Sequence, residues 1–214
     1  MGVKKIFCLT FETEFFGQHG FNEIKGSPVE PEVYAQLLRS YDEGIAEFLD
    51  LEFEFALVIG KGGANIKEDN ARQHIYGYTI YNDFSARAIQ SAEMTVGLGP
   101  AKGKDFIGAH VLGPVLVTAD EISDPYSLSM NGWVNDEQWT KGSSSAMHWK
   151  FEEMIAYASW NENLQVGEVF GSGTVGDGSG AEQGKVLNPG DVIRLEMTHL
   201  GRLENRIVRN RPFI

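Results

Sequence analysis

The chain has 214 residues, 42% of them hydrophobic and 11% aromatic, and a formal net charge of −12. These values suit one globular domain with a sizeable core, exclude a disordered chain, and argue against phosphate-backbone binding, which needs clustered Lys and Arg. A single cysteine, Cys8, excludes an intrachain disulfide framework and a cysteine-based zinc site, and no apolar run approaches a membrane span or signal-peptide core, so a soluble cytoplasmic protein without nucleic-acid or membrane partners is expected.

In chain order, residues 31–49 carry Val33, Leu37, Leu38, Ile45 and Phe48 at helical spacing. The segment Leu51-Glu52-Phe53-Glu54-Phe55-Ala56-Leu57-Val58-Ile59-Gly60 then reads as a strand over 53–59. Side chains alternate faces in a strand, so Glu52 and Glu54 point one way while Phe53 and Phe55 point the other. Two carboxylates on one face repel unless they are neutralised, and a hard divalent cation is the simplest neutraliser. A solvated strand face is the alternative.

A second strand covers 76–81, and Asp83 falls where it stops, placed either as a third oxygen ligand or as a helix N-cap. Ser85-Ala86-Arg87 opens a helical turn on which Arg87 and Gln90 share a face, although Arg87 alone would also suit a surface ion pair. In Gly99-Pro100-Ala101-Lys102-Gly103-Lys104-Asp105-Phe106 a lysine fixed among glycines can aim its ammonium at an anion, or simply be solvated. Strands over 111–118 and 128–134 and a helix over 150–159 follow. The stretch Phe170 to Glu182 is dense in glycine, so its amides and the Thr174 hydroxyl can approach ligand oxygens; it lacks a P-loop lysine, and a plain surface loop is the alternative. Asn188-Pro189-Gly190-Asp191 is a turn signal before a strand over 192–197. Short strands, frequent turns and two helices predict a mainly β fold with some α, a mixed β-roll or barrel.

Four blocks in order resemble the fumarylacetoacetate hydrolase family: Glu52-Phe53-Glu54, Asn82-Asp83-Phe84-Ser85-Ala86-Arg87, Gly103-Lys104-Asp105-Phe106 and Gly171-Ser172-Gly173-Thr174-Val175. Leu112-Gly113-Pro114, residues 134–139 and Asn188-Pro189-Gly190-Asp191 support the resemblance, which runs from about residue 50 to 209. It implies a catalytic domain over 51–211, preceded by a divergent segment over 1–50. It also implies that Glu52, Glu54 and Asp83 bind Mg²⁺, or Mn²⁺ or Ca²⁺. By the same resemblance Lys104 matches the active-site lysine, Arg87 and Gln90 the substrate-contacting pair, Thr174 the hydroxyl of the Gly-rich loop, and Glu182 the glutamate after it. Lys104 and Arg87 are needed to draw an anionic substrate to a site of three carboxylates.

Hydrolytic members of that family activate water with a histidine ahead of the paired glutamates, and the resemblance puts His19 there, with Tyr41 as a substrate-contacting tyrosine and Glu12 or Glu14 near a further ligand position. His74, His110, His148 and His199 lie outside the matched positions and read as structural or surface. The chain departs from larger members in a shorter stretch between Tyr41 and Leu51 and in Ala88, where an acidic residue is common. The expected activity is a metal-dependent hydrolase that cleaves a C–C bond of a small anionic diketo acid through a stabilised enolate. The alternatives are a 2-oxo acid decarboxylase, isomerase or hydratase on the same metal site, or a non-catalytic homologue. The resemblance further implies a homodimer.

Overall fold

The computed structural model describes residues 48–208. Its strands are β1 (Leu49–Asp50), β2 (Phe53–Ile59), β3 (Ile75–Asp83), β4 (Ser85–Ala86), β5 (His110–Thr118), β6 (Ser129–Val134), β7 (Glu137–Ser143), β8 (Val169–Gly171), β9 (Val192–Met197) and β10 (Gly201–Arg206). Helices Glu68–Ala71, Arg87–Met94, Phe151–Ala158 and Gly180–Gln183 lie between them. Strand β2 has the bounds its alternation predicts, and β9 those its apolar run predicts. The strand expected over 76–81 extends to Asp83, because its pairing with β5 continues to His110.

The expected helix over 31–49 falls outside the described residues except at its end, and there it is corrected: Leu49 opens β1 and pairs with Ala86. The helix expected over 150–159 runs Phe151–Ala158, entered where the Glu153 carboxylate accepts from the Lys150 N–H at 2.8 Å. Sequence periodicity missed β7, β8 and β10.

The strands form a four-stranded sheet in the order β10-β9-β6-β7, another in the order β5-β3-β2-β8, and the β1-β4 pair. Every paired neighbour is antiparallel. The β-rich roll holds, but among the described residues the barrel does not close, since β5, β7, β8 and β10 remain edges there.

The alternation of β2 decides what each sheet face does. Phe53, Phe55, Leu57 and Ile59 are buried and belong to one apolar cluster with Ile80, Met130, Ile155, Ile193 and Leu195. Phe151 seals it edge-on against Phe55, with ring centroids 4.9 Å apart at 70°, and lies 6.0 Å from Tyr78. Truncating a fully buried phenylalanine removes both transfer energy and contacts, so Phe151→Ala should destabilise the fold by about 3–5 kcal/mol. Urea unfolding checks this, and a loss below ~1 kcal/mol would show that the ring is not a core element. Among the described residues no helix is long and apolar enough to cross a membrane.

Candidate metal centre

The polar face of β2 carries the site. In the β2–β3 register Glu54 lies opposite Tyr81 and Phe53 opposite Asn82, and the Asp83 N–H donates to the Glu52 carbonyl at 3.1 Å. Pairing therefore brings Glu52, Glu54 and Asp83 together, with one ligand oxygen from each lying within 4.8 Å of the others. Glu54 is 4% exposed. Gly171, opposite Ala56 on β8, makes room for that carboxylate: a Cβ there would sit 2.5 Å from Glu54 Oε2 and 2.9 Å from the Tyr81 ring. The next turn, where Gly173 adopts φ +77°, aims its N–H at Glu54 Oε2 over 3.0 Å.

Two cations face the three carboxylates. Lys104 Nζ donates to Glu52 Oε2 at 2.5 Å and to Asp83 Oδ2 at 2.6 Å. The loop bearing this lysine is stapled down by Glu93, whose carboxylate accepts the N–H groups of Ala101, Lys102 and Gly103 at 2.8, 2.7 and 3.0 Å. Gly103 permits the close approach, since a Cβ there would meet Gln90 N at 2.7 Å. On the other side Arg87 Nη1 donates to Glu52 Oε1 at 2.6 Å and to Gln90 Oε1 at 2.9 Å.

Burial, reinforced by the charges of Asp83 and Glu52, pushes the Glu54 carboxyl up to about 8 against the Gly173 N–H and Lys104. Burial acts on Glu52 in the same sense, but Lys104 and Arg87 outweigh it and hold that carboxyl below its usual range. A proton on Glu54 thus relieves the repulsion when no divalent cation does. Its sign is definite. Without metal, the folded chain binds more protons than the unfolded chain between the usual 4.5 and about 8. The stability this group contributes is whole below that window and is lost as pH rises through it. Metal binding needs the carboxylate, so apparent Mn²⁺ affinity should rise by up to about tenfold per pH unit within the window and level off above it. Calorimetry in buffers of different ionisation enthalpy should detect the released proton; affinity independent of pH across the window would contradict the assignment.

The donor set suits a hard cation. Three carboxylates offer only oxygen, as Mg²⁺, Mn²⁺ and Ca²⁺ prefer, and the ammonium of Lys104 already bridges two of them as a cation would. Asp83 Oδ1 is buried with no hydrogen-bond partner among the described residues, although His110 Nδ1 lies 3.1 Å away.

The remaining expected residues are distributed as follows. His19 and Tyr41, with Glu12 and Glu14, lie outside the described residues. Gln90 supports Arg87. Thr174 lines a cavity of about 410 Å³ with Phe55, Met130, Met147, His148 and Trp149. The Glu182 carboxylate forms a capping box through Oε2, which accepts from the N–H and Oγ of Ser179 at 3.1 and 2.9 Å. His110, read from sequence as structural or surface, is half exposed but stands against Asp83 and hydrogen-bonds the Tyr81 hydroxyl at 2.6 Å. Burial and the charge of Asp83 push that hydroxyl above its usual range. Asp50 and Glu93 were not singled out by sequence at all. The first continues the alternation of Glu52 and Glu54 backwards by two residues; the second binds backbone amides, which leave no trace in a sequence.

Residues 27–208 match the family model described as fumarylacetoacetate (FAA) hydrolase C-terminal. The chain belongs to the fumarylacetoacetate hydrolase family. It is 39% identical over 189 residues to the mitochondrial oxaloacetate tautomerase fahd2 of Xenopus laevis, covering 88% of this chain and 57% of that protein. It is 35% identical over 182 residues to oxaloacetate tautomerase YisK of Bacillus subtilis, covering 85% and 59%. The chain therefore spans just under three fifths of the length of these relatives. Among solved family structures it is similar to fumarylpyruvate hydrolase from Pseudomonas aeruginosa in complex with Mn²⁺ and pyruvate, with TM-score 0.68 and 25% identity over 77% of this chain and 68% of that one. A fumarylacetoacetate hydrolase from Exiguobacterium antarcticum gives TM-score 0.70 and 30% identity over 78% and 59%.

Proposed function

We propose that the chain catalyses divalent-cation-assisted enolisation of a small 2-oxo dicarboxylic acid, interconverting the keto and enol forms of an oxaloacetate-like substrate. The observation that carries this reading is the convergence of Glu52, Glu54 and Asp83 beneath the ammonium of Lys104. When bound there, a divalent cation would supply Lewis-acid stabilisation of an enolate. Lys104 holds positive charge beside the developing oxyanion, and burial strengthens that attraction. Tautomerisation moves one proton from carbon to the enol oxygen, or back, and consumes no water, so it needs no water-activating base. The names of the two tautomerase relatives support the same choice.

A second reading, C–C hydrolysis of a diketo acid, is favoured by the likeness to fumarylpyruvate hydrolase, and it would call on His19 to activate water. The deciding experiment follows enol-oxaloacetate decay and acylpyruvate cleavage side by side, with Mn²⁺ and with excess chelator. Metal-dependent decay without cleavage supports the tautomerase; cleavage without accelerated decay replaces it by the hydrolase; neither activity defeats both. We also take the chain to act as a homodimer, a reading that exposed Leu112, Val115 and Leu116 on edge strand β5 support. A monomeric mass in light scattering would exclude it.

A further inference from the structure

The carboxylate of Asp50 is 1% exposed and touches nothing that the metal reading assigns as a ligand or a substrate contact except Arg87. A buried charge of this kind has to be neutralised and hydrogen-bonded, and Asp50 is both. Its Oδ2 accepts from Arg87 Nε at 2.9 Å and from Arg87 Nη2 at 2.7 Å, and from the Ala181 N–H at 3.0 Å. Its Oδ1 accepts from the Gly180 N–H at 2.7 Å. Residue 180 must be glycine for this approach, because a Cβ there would stand 2.7 Å from Asp50 Oδ1 and 2.6 Å from the Lys185 carbonyl.

The consequence lies at the other end of the guanidinium. With Nε and Nη2 held by Asp50, the rigid fork of Arg87 leaves Nη1 directed at Glu52 Oε1, 2.6 Å away. Among the described residues four of the five N–H groups of the guanidinium are then engaged, one on Nε, one on Nη2 and two on Nη1. Lysine could supply the charge of Arg87, but it could not span both carboxylates.

We infer that Asp50 is a positioning residue of the metal centre, which clamps Arg87 between β1, the Gly180–Ala181 amides and Glu52 and so fixes the orientation of the Glu52 carboxylate. This rests on the metal-site reading given above. Asp50 touches neither the cation nor the substrate; it acts through Arg87. Arg87 accordingly serves the site as a strut first, and its place beside Gln90 is explained by the clamp, not by substrate binding alone.

The test measures Mn²⁺ affinity by electron paramagnetic resonance in folded protein, with circular dichroism confirming the fold of each variant. Asp50→Asn keeps the size and removes the charge, and Arg87→Lys keeps the charge and removes the fork. Each should weaken Mn²⁺ binding by about 10- to 100-fold, the range for residues that orient metal ligands. Because both break one clamp, the double variant should be no weaker than the weaker single variant. If Asp50→Asn does not fold, Arg87→Ala replaces it, and added guanidinium ion should then restore Mn²⁺ affinity, since the ion can refill the gap between Asp50 and Glu52. Unchanged Mn²⁺ affinity in folded Asp50→Asn, strictly additive losses in the double variant, or no rescue of folded Arg87→Ala each overturn the inference while leaving the metal reading intact. Wild-type protein that binds no Mn²⁺ overturns both.

Discussion

Glu54→Gln is expected to weaken Mn²⁺ binding by at least about 100-fold and to abolish metal-dependent enolisation, yet to stabilise the metal-free protein. The two effects share one cause. Glu54 lies almost wholly out of water beside Asp83 and Glu52, and burial pushes its carboxyl up to about 8. Glutamine copies the protonated form in size and removes the charge that the fold resists. It still accepts the Gly173 N–H through its carbonyl oxygen, so the Gly-rich turn keeps its anchor. Removing an ionised ligand, by contrast, removes both Coulomb attraction and a bond to a hard cation, a larger loss than the 10–100-fold typical of supporting residues. Thermal melts with chelator present should show the variant more stable than wild type above pH about 8, where the wild-type carboxylate is ionised, with the gap closing toward the usual carboxylate range. A metal-free variant less stable than wild type at alkaline pH would refute this account of Glu54.

Lys104→Met should reduce turnover by about 10²–10³-fold, the usual loss when one fixed donor to a developing oxyanion is removed. Its effect on the cation should have the opposite sign. Lys104 Nζ bonds Glu52 Oε2 and Asp83 Oδ2, so it competes for oxygens that a divalent ion would use. Methionine fills a similar volume without charge, and Mn²⁺ affinity in the variant should hold or increase. Titration by electron paramagnetic resonance, read beside steady-state rates, separates the roles. Parallel loss of affinity and turnover would mean that the lysine merely assembles the carboxylates.

Which parts of this arrangement a sequence discloses depends on what each residue binds. The Glu52-Phe53-Glu54 alternation is legible because its two halves face different media, carboxylates toward the site and rings into the core. Strand β7, with the sequence Glu-Gln-Trp-Thr-Lys-Gly-Ser, is not legible, because it is an exposed edge on which only Thr140 is fully buried. Strand β10 hides for the same reason, with Leu203 its one buried apolar residue. Lys104 and Thr174 stand out by resemblance to the family, since nothing in a glycine-rich loop says where a side chain will point. Asp50 escaped because the segment ahead of Glu52 looks helical up to Leu49, and an aspartate after a helix invites no further question. Its true context, the backbone of residues 180 and 181, is contributed by a segment 130 positions away.

The hydrogen-bond ladder between β2 and β3 makes the metal centre a ruler of fixed gauge. Glu54 is set opposite Tyr81, and the Asp83 amide is tied to the Glu52 carbonyl, so the backbones carrying the three carboxylates cannot part without breaking sheet pairing. Oxygen ligands stand at about 2.0–2.1 Å around Mg²⁺ and about 2.3–2.6 Å around Ca²⁺. The difference must therefore be absorbed by side-chain torsions. Glu54 is hemmed in by Gly171, Tyr81 and the Gly173 amide, which leaves little play on that side. With Glu52 held by Arg87, adjustment falls to Asp83, whose Oδ1 has no hydrogen-bond partner among the described residues, and to the loop of Lys104, whose Glu93 staple consists of hydrogen bonds to three backbone amides. Discrimination between ions of one charge and different radius would thus be written in the wall of Asp83 and Lys104, which is more open to solvent than the seat of Glu54.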